Sequence, residues 1–199
     1  MATPPTLDAL KRVATCRQRF DTVEEKSKQY DVWAPDYDTD MATLSYSLPD
    51  GVAAKIADLV KDKATRILDV GCGTGLLGEK LASLGYTNMY AVDGNEALAA
   101  KCREKARYFG IVAAVGIFAP QCVDRSGIPE INRVLGKGAL LIAAVRKKVY
   151  HAVDTGDYKI KEWLNEYVER GEWDLIDVEE ANYYENPIVE ALIITFRKR

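Results

Sequence analysis

Three glycines alternate with other residues directly after a short apolar segment, in the stretch ILDVGCGTG at residues 67–75. The apolar run predicts a buried strand, and the following segment, GLLGEKLASLG, predicts a helix that Gly85 ends. Glycines in such a loop allow a tight turn and let a ligand approach the backbone with no Cβ in the way. An ordinary strand-to-helix turn is the alternative, but each glycine raises the entropic cost of folding. The spacing therefore predicts a ligand-binding loop.

Two carboxylates accompany the loop. Asp69 precedes it, and Asp93 ends the next predicted strand, MYAVD, 18 residues beyond Gly75. A carboxylate at the end of that strand can accept both hydroxyls of a ribose, which suits an adenosyl ligand or NAD. A plain capping acid at a strand end is the alternative. Gly94 and Asn95 would supply backbone amides beside Asp93.

The glycine spacing separates two classes of cofactor. The dinucleotide fingerprint G-x-G-x-x-G needs a third glycine at position 76, where the chain has Leu76. The pattern present, an acid followed by G-x-G-x-G, resembles the first motif of class I S-adenosylmethionine-dependent methyltransferases. This resemblance implies S-adenosyl-L-methionine as the cofactor, with Asp69 orienting the loop and helping to hold the cofactor's ammonium group. The cofactor-binding residues it implies around the loop are Asp69, Gly71, Cys72, Gly73, Gly75, Asp93, Gly94, Asn95 and Gly116.

The elements around the loop alternate between strand and helix from residue 66 onward, after about sixty residues that read as helices. Alternation of this kind predicts an α/β fold, a parallel sheet covered by helices on both faces. The resemblance makes it a Rossmann-like three-layer α-β-α methyltransferase fold, mostly parallel with an antiparallel late strand. We expect one domain over 1–199, with an N-terminal helical cap at 1–62 and the core at 63–199.

The resemblance extends over roughly residues 30–173. The segments YDVWAPDYDTDMATLSY, VDGNEAL, VGIFAPQCV, IPEINRVLGKGALL and EYVERGEW are similar, in order, to a small group of methyltransferase-like proteins named for the Williams–Beuren syndrome region. It implies that Tyr30, Trp33 and Tyr37 close over the cofactor. Their spacing fits a helical stripe packed on the core equally well. Ile117 and Phe118 would bind the acceptor, and Cys122 stands where the group often has a histidine.

One part of the class pattern is missing. The class sheet order is 3-2-1-4-5-7-6, and IVAAVGIFAP resembles the fourth strand. Only residues 95–110 separate it from the second strand, which leaves room for one helix, EALAAKCREKARYF, ended by Gly110. The third, edge strand and the acid that binds adenine are therefore expected to be absent. Loss of that hydrogen bond, worth about 0.5–1.5 kcal/mol, together with lost packing, would weaken cofactor binding.

These residues predict methyl transfer from S-adenosylmethionine to an unidentified small-molecule or protein acceptor, with no catalytic base identified. The first alternative is a catalytically impaired cofactor-binding or interaction protein, which would be a shortened form of a complete methyltransferase. The second and less favoured alternative is an NAD-dependent oxidoreductase. A net charge of −3 gives no electrostatic footprint for nucleic acid or acidic membranes. Four scattered cysteines and an N-terminus without a signal-peptide apolar core favour a cytoplasmic location and no metal site.

Overall fold

The computed structural model describes residues 7–18, 20–94, 109–153 and 155–199. Three helices come first, and the strands and remaining helices alternate after them. The elements are α1 (Leu7–Cys16), α2 (Val23–Thr43), α3 (Leu48–Leu59), β1 (Ile67–Val70), α4 (Leu76–Ser83), β2 (Met89–Val92), β3 (Phe109–Val115), α5 (Gly127–Val134), β4 (Leu135–Arg146), α6 (Lys147–Tyr150), α7 (Ile160–Glu169), β5 (Trp173–Glu185) and β6 (Ile188–Lys198).

The six strands form one sheet in the order β2-β1-β3-β4-β6-β5. Strands β1 to β4 pair in parallel, whereas β6 pairs antiparallel with both β4 and β5. This arrangement is the class order without its third strand, so β2 forms the edge among the strands described. The predicted α/β fold, with a mostly parallel sheet and a late antiparallel strand, is confirmed.

Helices cover both faces of the sheet. On one face α3 and α4 contribute Val52, Ile56 and Leu81 to a core that includes Ile111. On the other face α5 and α7 pack around the next residue of β3, Val112. Because β3 is covered on both sides, its sequence is a continuous apolar run and does not alternate with polar residues.

The start of β3 differs from the prediction. Gly110 was expected to end a helix, but it lies inside the strand and its amide donates to the Arg66 carbonyl at 3.0 Å. Phe109 is also part of the strand, because its buried ring packs edge-on against Tyr90 with the ring centroids 5.4 Å apart. The rest of the helix predicted over 96–109 lies outside the described residues.

The N-terminal helices are joined by a buried carboxylate. Asp40, near the end of α2, accepts hydrogen bonds from Arg12 Nε at 2.6 Å and from the Trp33 indole at 2.7 Å. At the start of α2, Thr22 and Glu25 form a capping box, which satisfies amides that the helix leaves unpaired. Within the described ranges, no helix combines the length and apolar character needed to cross a bilayer.

Candidate functional site

The glycine loop joins β1 to α4, and all three glycines have left-handed backbone angles. Their φ values are +73° at Gly71, +51° at Gly73 and +93° at Gly75. A Cβ on Gly71 would lie 2.0 Å from Cγ2 of Ile117, so this glycine is required by packing inside the protein. A Cβ on Gly73 or Gly75 would have no heavy atom within 4 Å. These two glycines therefore border open space, which a ligand could approach.

The loop is held against the end of β2. The amides of Gly71 and Cys72 both donate to the Val92 carbonyl, at 2.6 and 3.1 Å. One carboxylate oxygen of Asp93 accepts from the Gly73 amide at 2.6 Å, and the other accepts from the Gly94 amide at 2.6 Å. Each oxygen keeps a lone pair, because a carboxylate has about four acceptor positions. Asp93 can therefore accept further hydrogen bonds from a ligand.

Asp69 is a buried acidic residue of the site. It is 6% exposed, and among the described residues no donor contacts its carboxylate. Burial, and secondarily the charge of Asp93, raise the pKa of Asp69 to about 7. Burial also raises the pKa of the neighbouring Cys72 thiol to about 11, and the charges of Asp69 and Asp93 add to that rise. Within the described part of the chain, the site thus holds an acidic group with no cation beside it, and a thiol that stays protonated at neutral pH.

The cavity beside Asp69 is small because α2 closes over it. Its volume is about 40 Å³, which is enough for only a few water molecules, since each needs about 10–15 Å³ of such space. The Thr74 hydroxyl donates to the Asp38 carboxylate at 2.6 Å and so ties the loop to α2. This contact and the presence of Tyr37 in the lining place α2 over the described part of the cavity. The cavity is lined by Tyr37, Tyr46, Pro49, Asp69, Gly71, Cys72, Gly73, Thr74, Leu76, Leu77 and Val115.

Of the three N-terminal aromatic residues predicted to close over the cofactor, Tyr37 lines this cavity. Trp33 is buried in the helical cap, where it stabilises Asp40 and contacts Tyr37 with centroids 4.7 Å apart. Tyr30 is 40% exposed and stacks on Trp33 at 6.0 Å. Trp33 thus has the packing role that the spacing allowed as the alternative. Its burial follows from the hydrogen bond that its indole makes to a buried acid.

The two residues predicted to bind the acceptor follow a turn after β3, and the structure places them in different surroundings. Gly116 has φ +72°, and Ile117 packs over Gly71 next to the loop. Phe118 was expected at the acceptor, but it is 2% exposed and packs in the core with Val112 and Ile128. The turn at Gly116 accounts for the difference, since it breaks the extended course of the strand before Phe118. Asn95 lies outside the described residues.

Tyr46 lines the cavity and was not predicted as a site residue. It pairs with Tyr184 of β5 through an isolated antiparallel bridge, and its ring lies 5.1 Å from that of Tyr183. The hydroxyl of Tyr183 would lie 2.7 Å from a Cβ on Gly116. This contact depends on residues far apart in the sequence, and no local motif signals it.

The sheet order, the glycine loop after β1 and the acid after β2 give a Rossmann-like fold, which solved S-adenosylmethionine-dependent methyltransferases share. A family model described as a methyltransferase domain matches residues 67–120, which include β1, the loop and β3. The resemblance to methyltransferases predicted from the sequence is confirmed.

Two solved methyltransferase structures show this likeness of fold. Magnesium protoporphyrin IX methyltransferase from Synechocystis, solved with bound S-adenosylmethionine, is 14% identical with a TM-score of 0.55, over 97% of this chain and 92% of that one. The N-methyltransferase NodS from Bradyrhizobium japonicum, in complex with S-adenosylhomocysteine, is 14% identical with a TM-score of 0.53, over 75% and 86%.

The chain is also similar in sequence to methyltransferase-like protein 27 of Homo sapiens. The two are 29% identical over 143 residues, which are 61% of this chain. The match spans 58% of the length of the human protein.

Proposed function

We propose that the protein transfers the methyl group of S-adenosylmethionine to a small-molecule or protein acceptor. The observation that carries the proposal is Asp69, a buried carboxylate with no donor among the described residues, at the end of β1 and beside the glycine loop. A buried charge needs a partner of opposite sign. The ammonium group of the cofactor's amino-acid part has the charge and the donors that this carboxylate lacks.

The other residues of the site fit the remaining groups of this cofactor. Gly73 and Gly75 leave open space beside the backbone, and Asp93 keeps acceptor positions for ribose hydroxyls. Gly94 and Asn95, the two residues after Asp93 in the sequence, would supply backbone amides to the cofactor. Tyr37 would cover it from α2, and Cys72 would contact it from the loop. When bound, S-adenosylmethionine supplies an electrophilic methyl group on a positively charged sulfur.

The protein's own contribution would be alignment of the acceptor. Gly116 and Ile117 follow β3, at the carboxyl edge of the sheet where open α/β folds bind ligands. Ile117 packs over the glycine loop, so a group bound against it lies next to the cofactor pocket. Positioning alone can lower a barrier by several kcal/mol. A general base is not a requirement of this chemistry.

Calorimetric titration with S-adenosylhomocysteine tests the proposal, because the product keeps the ammonium group and the ribose. We expect binding by the wild type, and a loss of about tenfold or more in Asp69→Asn, since a charged hydrogen bond is worth about 1.5–3 kcal/mol. Asp58→Asn is the matched control, because Asp58 is exposed on α3 and faces Lys61. Absence of heat at millimolar ligand with folded protein would refute cofactor binding.

A second candidate, a cofactor-binding or interaction protein with impaired catalysis, is favoured by two observations. The cavity holds about 40 Å³, and the short link at 95–110 leaves no room for the class's third strand and adenine-binding acid. S-adenosylhomocysteine binding without transfer of labelled methyl to any of a broad set of acceptors would favour this candidate. An NAD-dependent oxidoreductase would instead bind NADH and not S-adenosylhomocysteine, and Leu76 argues against it.

We also propose that the protein acts in the cytoplasm and that its acceptor is not a nucleic acid. The free thiols of Cys16, Cys72 and Cys122 suit a reducing compartment. The net charge of −3 gives no general attraction to phosphate backbones. Cell fractionation with an antibody, and gel-shift titration with single- and double-stranded RNA, test these two statements separately.

A further inference from the structure

Arg146, the residue that ends β4, is a partly buried cation. Among the described residues its guanidinium has neither a hydrogen bond nor an ion pair with a carboxylate. Burial lowers the pKa of Arg146, and the nearby charge of Arg17 lowers it further. Buried cations are normally paired, because an isolated charge is costly to remove from water. An unpaired arginine of this kind needs an explanation.

Arg17, which directly follows α1, lies in the same place. Its guanidinium carbon is 5.1 Å from the ring centroid of Tyr184 and 6.0 Å from that of Tyr183. Arg146 is brought to the same region by strand pairing, because it pairs with Ala191 of β6, and Ala191 pairs with Ala181, two residues before Tyr183. Burial raises the pKa of Tyr184, and the charges of Arg17 and Arg146 oppose that rise. No carboxylate in the described part of the chain forms an ion pair with Arg17. We call Arg17 and Arg146 the arginine pair.

The irregular pairing of β5 brings both tyrosines to this pair. The register between β5 and β6 shifts between Asn182 and Tyr184, which leaves Tyr183 as an extra residue. Consecutive strand residues normally point to opposite faces, and a bulge removes that constraint. Tyr183 and Tyr184 both contact Tyr46, at 5.1 and 5.7 Å between ring centroids.

The arginine pair adjoins the acceptor side of the glycine-loop cavity. Tyr46 lines that cavity, and Tyr183 reaches from Tyr46 and Gly116 to Arg17. Arg146 lies two residues beyond Ala144, whose carbonyl accepts the Gly116 amide at 2.9 Å. Arg146 therefore lies near the turn that follows β3, and its strand, β4, is on the opposite side of β3 from β1 and the loop.

We propose that the arginine pair binds an anionic group, a carboxylate or a phosphate ester, of a methyl acceptor whose body is aromatic or otherwise planar. Guanidinium groups can donate two parallel hydrogen bonds to a carboxylate or to a phosphate, and the half-buried ring of Tyr183 offers a flat face for the body. This proposal names the acceptor class of the proposed function and rests on it. An anion would also neutralise two cations that repel each other in the free protein.

The test is calorimetric titration of protein saturated with S-adenosylhomocysteine, using benzoate, phenyl phosphate and the neutral benzamide as probes. We expect the anions to bind and benzamide to bind at least tenfold more weakly, as expected for a charged contact worth about 1.5–3 kcal/mol. Arg146→Met and Arg17→Met should each weaken anion binding about 10- to 100-fold. The tighter of the two anions identifies the group.

Arg199→Met is the matched control, because Arg199 follows β6, at the opposite end of its pairing with β4 from Arg146, and its guanidinium pairs with Asp174. It should leave anion affinity unchanged. Arg17 is exposed, so Arg17→Met keeps the test usable if Arg146→Met fails to fold. Equal anion binding by the wild type and both arginine variants would overturn the proposal.

Two further outcomes separate this proposal from the proposed function. No anion binding by protein that does bind S-adenosylhomocysteine would overturn the arginine-pair site and leave methyl transfer standing. Arginine-dependent anion binding by protein that fails to bind S-adenosylhomocysteine would support the anion site and overturn its assignment to a methyl acceptor. The titration without cofactor, run in parallel, distinguishes these cases.

Discussion

If Asp69 holds the cofactor's ammonium group as proposed, cofactor binding is coupled to proton release from this buried carboxyl group. With a pKa of about 7 in the free protein, Asp69 is about half protonated at pH 7. A bound ammonium group favours the ionised form and lowers that pKa by 1–3. Binding of S-adenosylhomocysteine at pH 7 should therefore release up to about half a proton per site.

The raised pKa of Asp69 also lowers the free energy of unfolding of the free protein at neutral pH. Asp69 ionises near pH 3.9 when unfolded, and a folded pKa of about 7 corresponds to up to about 4 kcal/mol. The raised value means that the native state binds more protons between these two pH values, so the free energy of unfolding falls as pH rises from about 4 to 7. Asp69→Asn removes this cost. We expect the variant to be more stable than the wild type at pH 8, and the difference to vanish toward pH 4.

Two measurements check the reasoning. Calorimetry in phosphate and in Tris, which differ in ionisation enthalpy, reports the protons released on binding, and urea unfolding at pH 5 and pH 8 reports stability. A wild type that releases no proton at pH 7, or an Asp69→Asn protein that is less stable than the wild type at pH 8, would refute the assignment of a raised pKa. Asp58→Asn should match the wild type in both assays.

Three further predictions concern the loop and the cap. Gly71→Ala should lower the free energy of unfolding by about 1–3 kcal/mol more than Gly75→Ala in urea titrations, because only Gly71 faces Ile117 at 2.0 Å while both have positive φ; equal losses would contradict the packing argument. Trp33→Phe should lower the free energy of unfolding by about 1 kcal/mol, because it removes the hydrogen bond to Asp40, and should leave S-adenosylhomocysteine affinity unchanged in calorimetry. A large loss of affinity would instead mean that Trp33 contacts the cofactor. Thr74→Val should speed S-adenosylhomocysteine association in stopped-flow fluorescence, up to about tenfold, because the contact with Asp38 must break before α2 opens; an unchanged rate would mean that α2 is not the barrier.

Local patterns were enough to predict the strands of a parallel sheet and the glycine loop, whereas the strand order and the antiparallel late strand came from the resemblance to methyltransferases. The glycine spacing predicted a ligand-binding loop, and the apolar runs predicted β1, β3 and β4, because these features depend on neighbours in the sequence. The start of β3 at Phe109 depends on packing against Tyr90, which no local rule reveals.

The parts of the site that were missed depend on distant contacts. Trp33 and Tyr37 share a spacing, but a hydrogen bond to Asp40 buries the first and leaves the second at the cavity. Tyr46 lines the cavity and bridges to Tyr184 of β5, and Arg146 of the proposed anion site lies at the end of β4, so both depend on how distant strands pair. A register shift is set by the partner strand, so the sequence of β5 alone does not reveal it.

The position of β6 has a consequence for synthesis of the chain. Strand β5 precedes β6 in the sequence, yet β6 lies between β4 and β5 in the sheet. While the ribosome is still adding residues 188–198, β5 has no strand to pair with, and Tyr183 and Tyr184 cannot yet be held against Tyr46. The glycine loop and its parallel strands can form earlier, whereas the cluster of Tyr46, Tyr183 and Tyr184 is completed only after β6 emerges. Nascent chains would therefore pass through a stage with the glycine loop formed and the arginine pair unassembled.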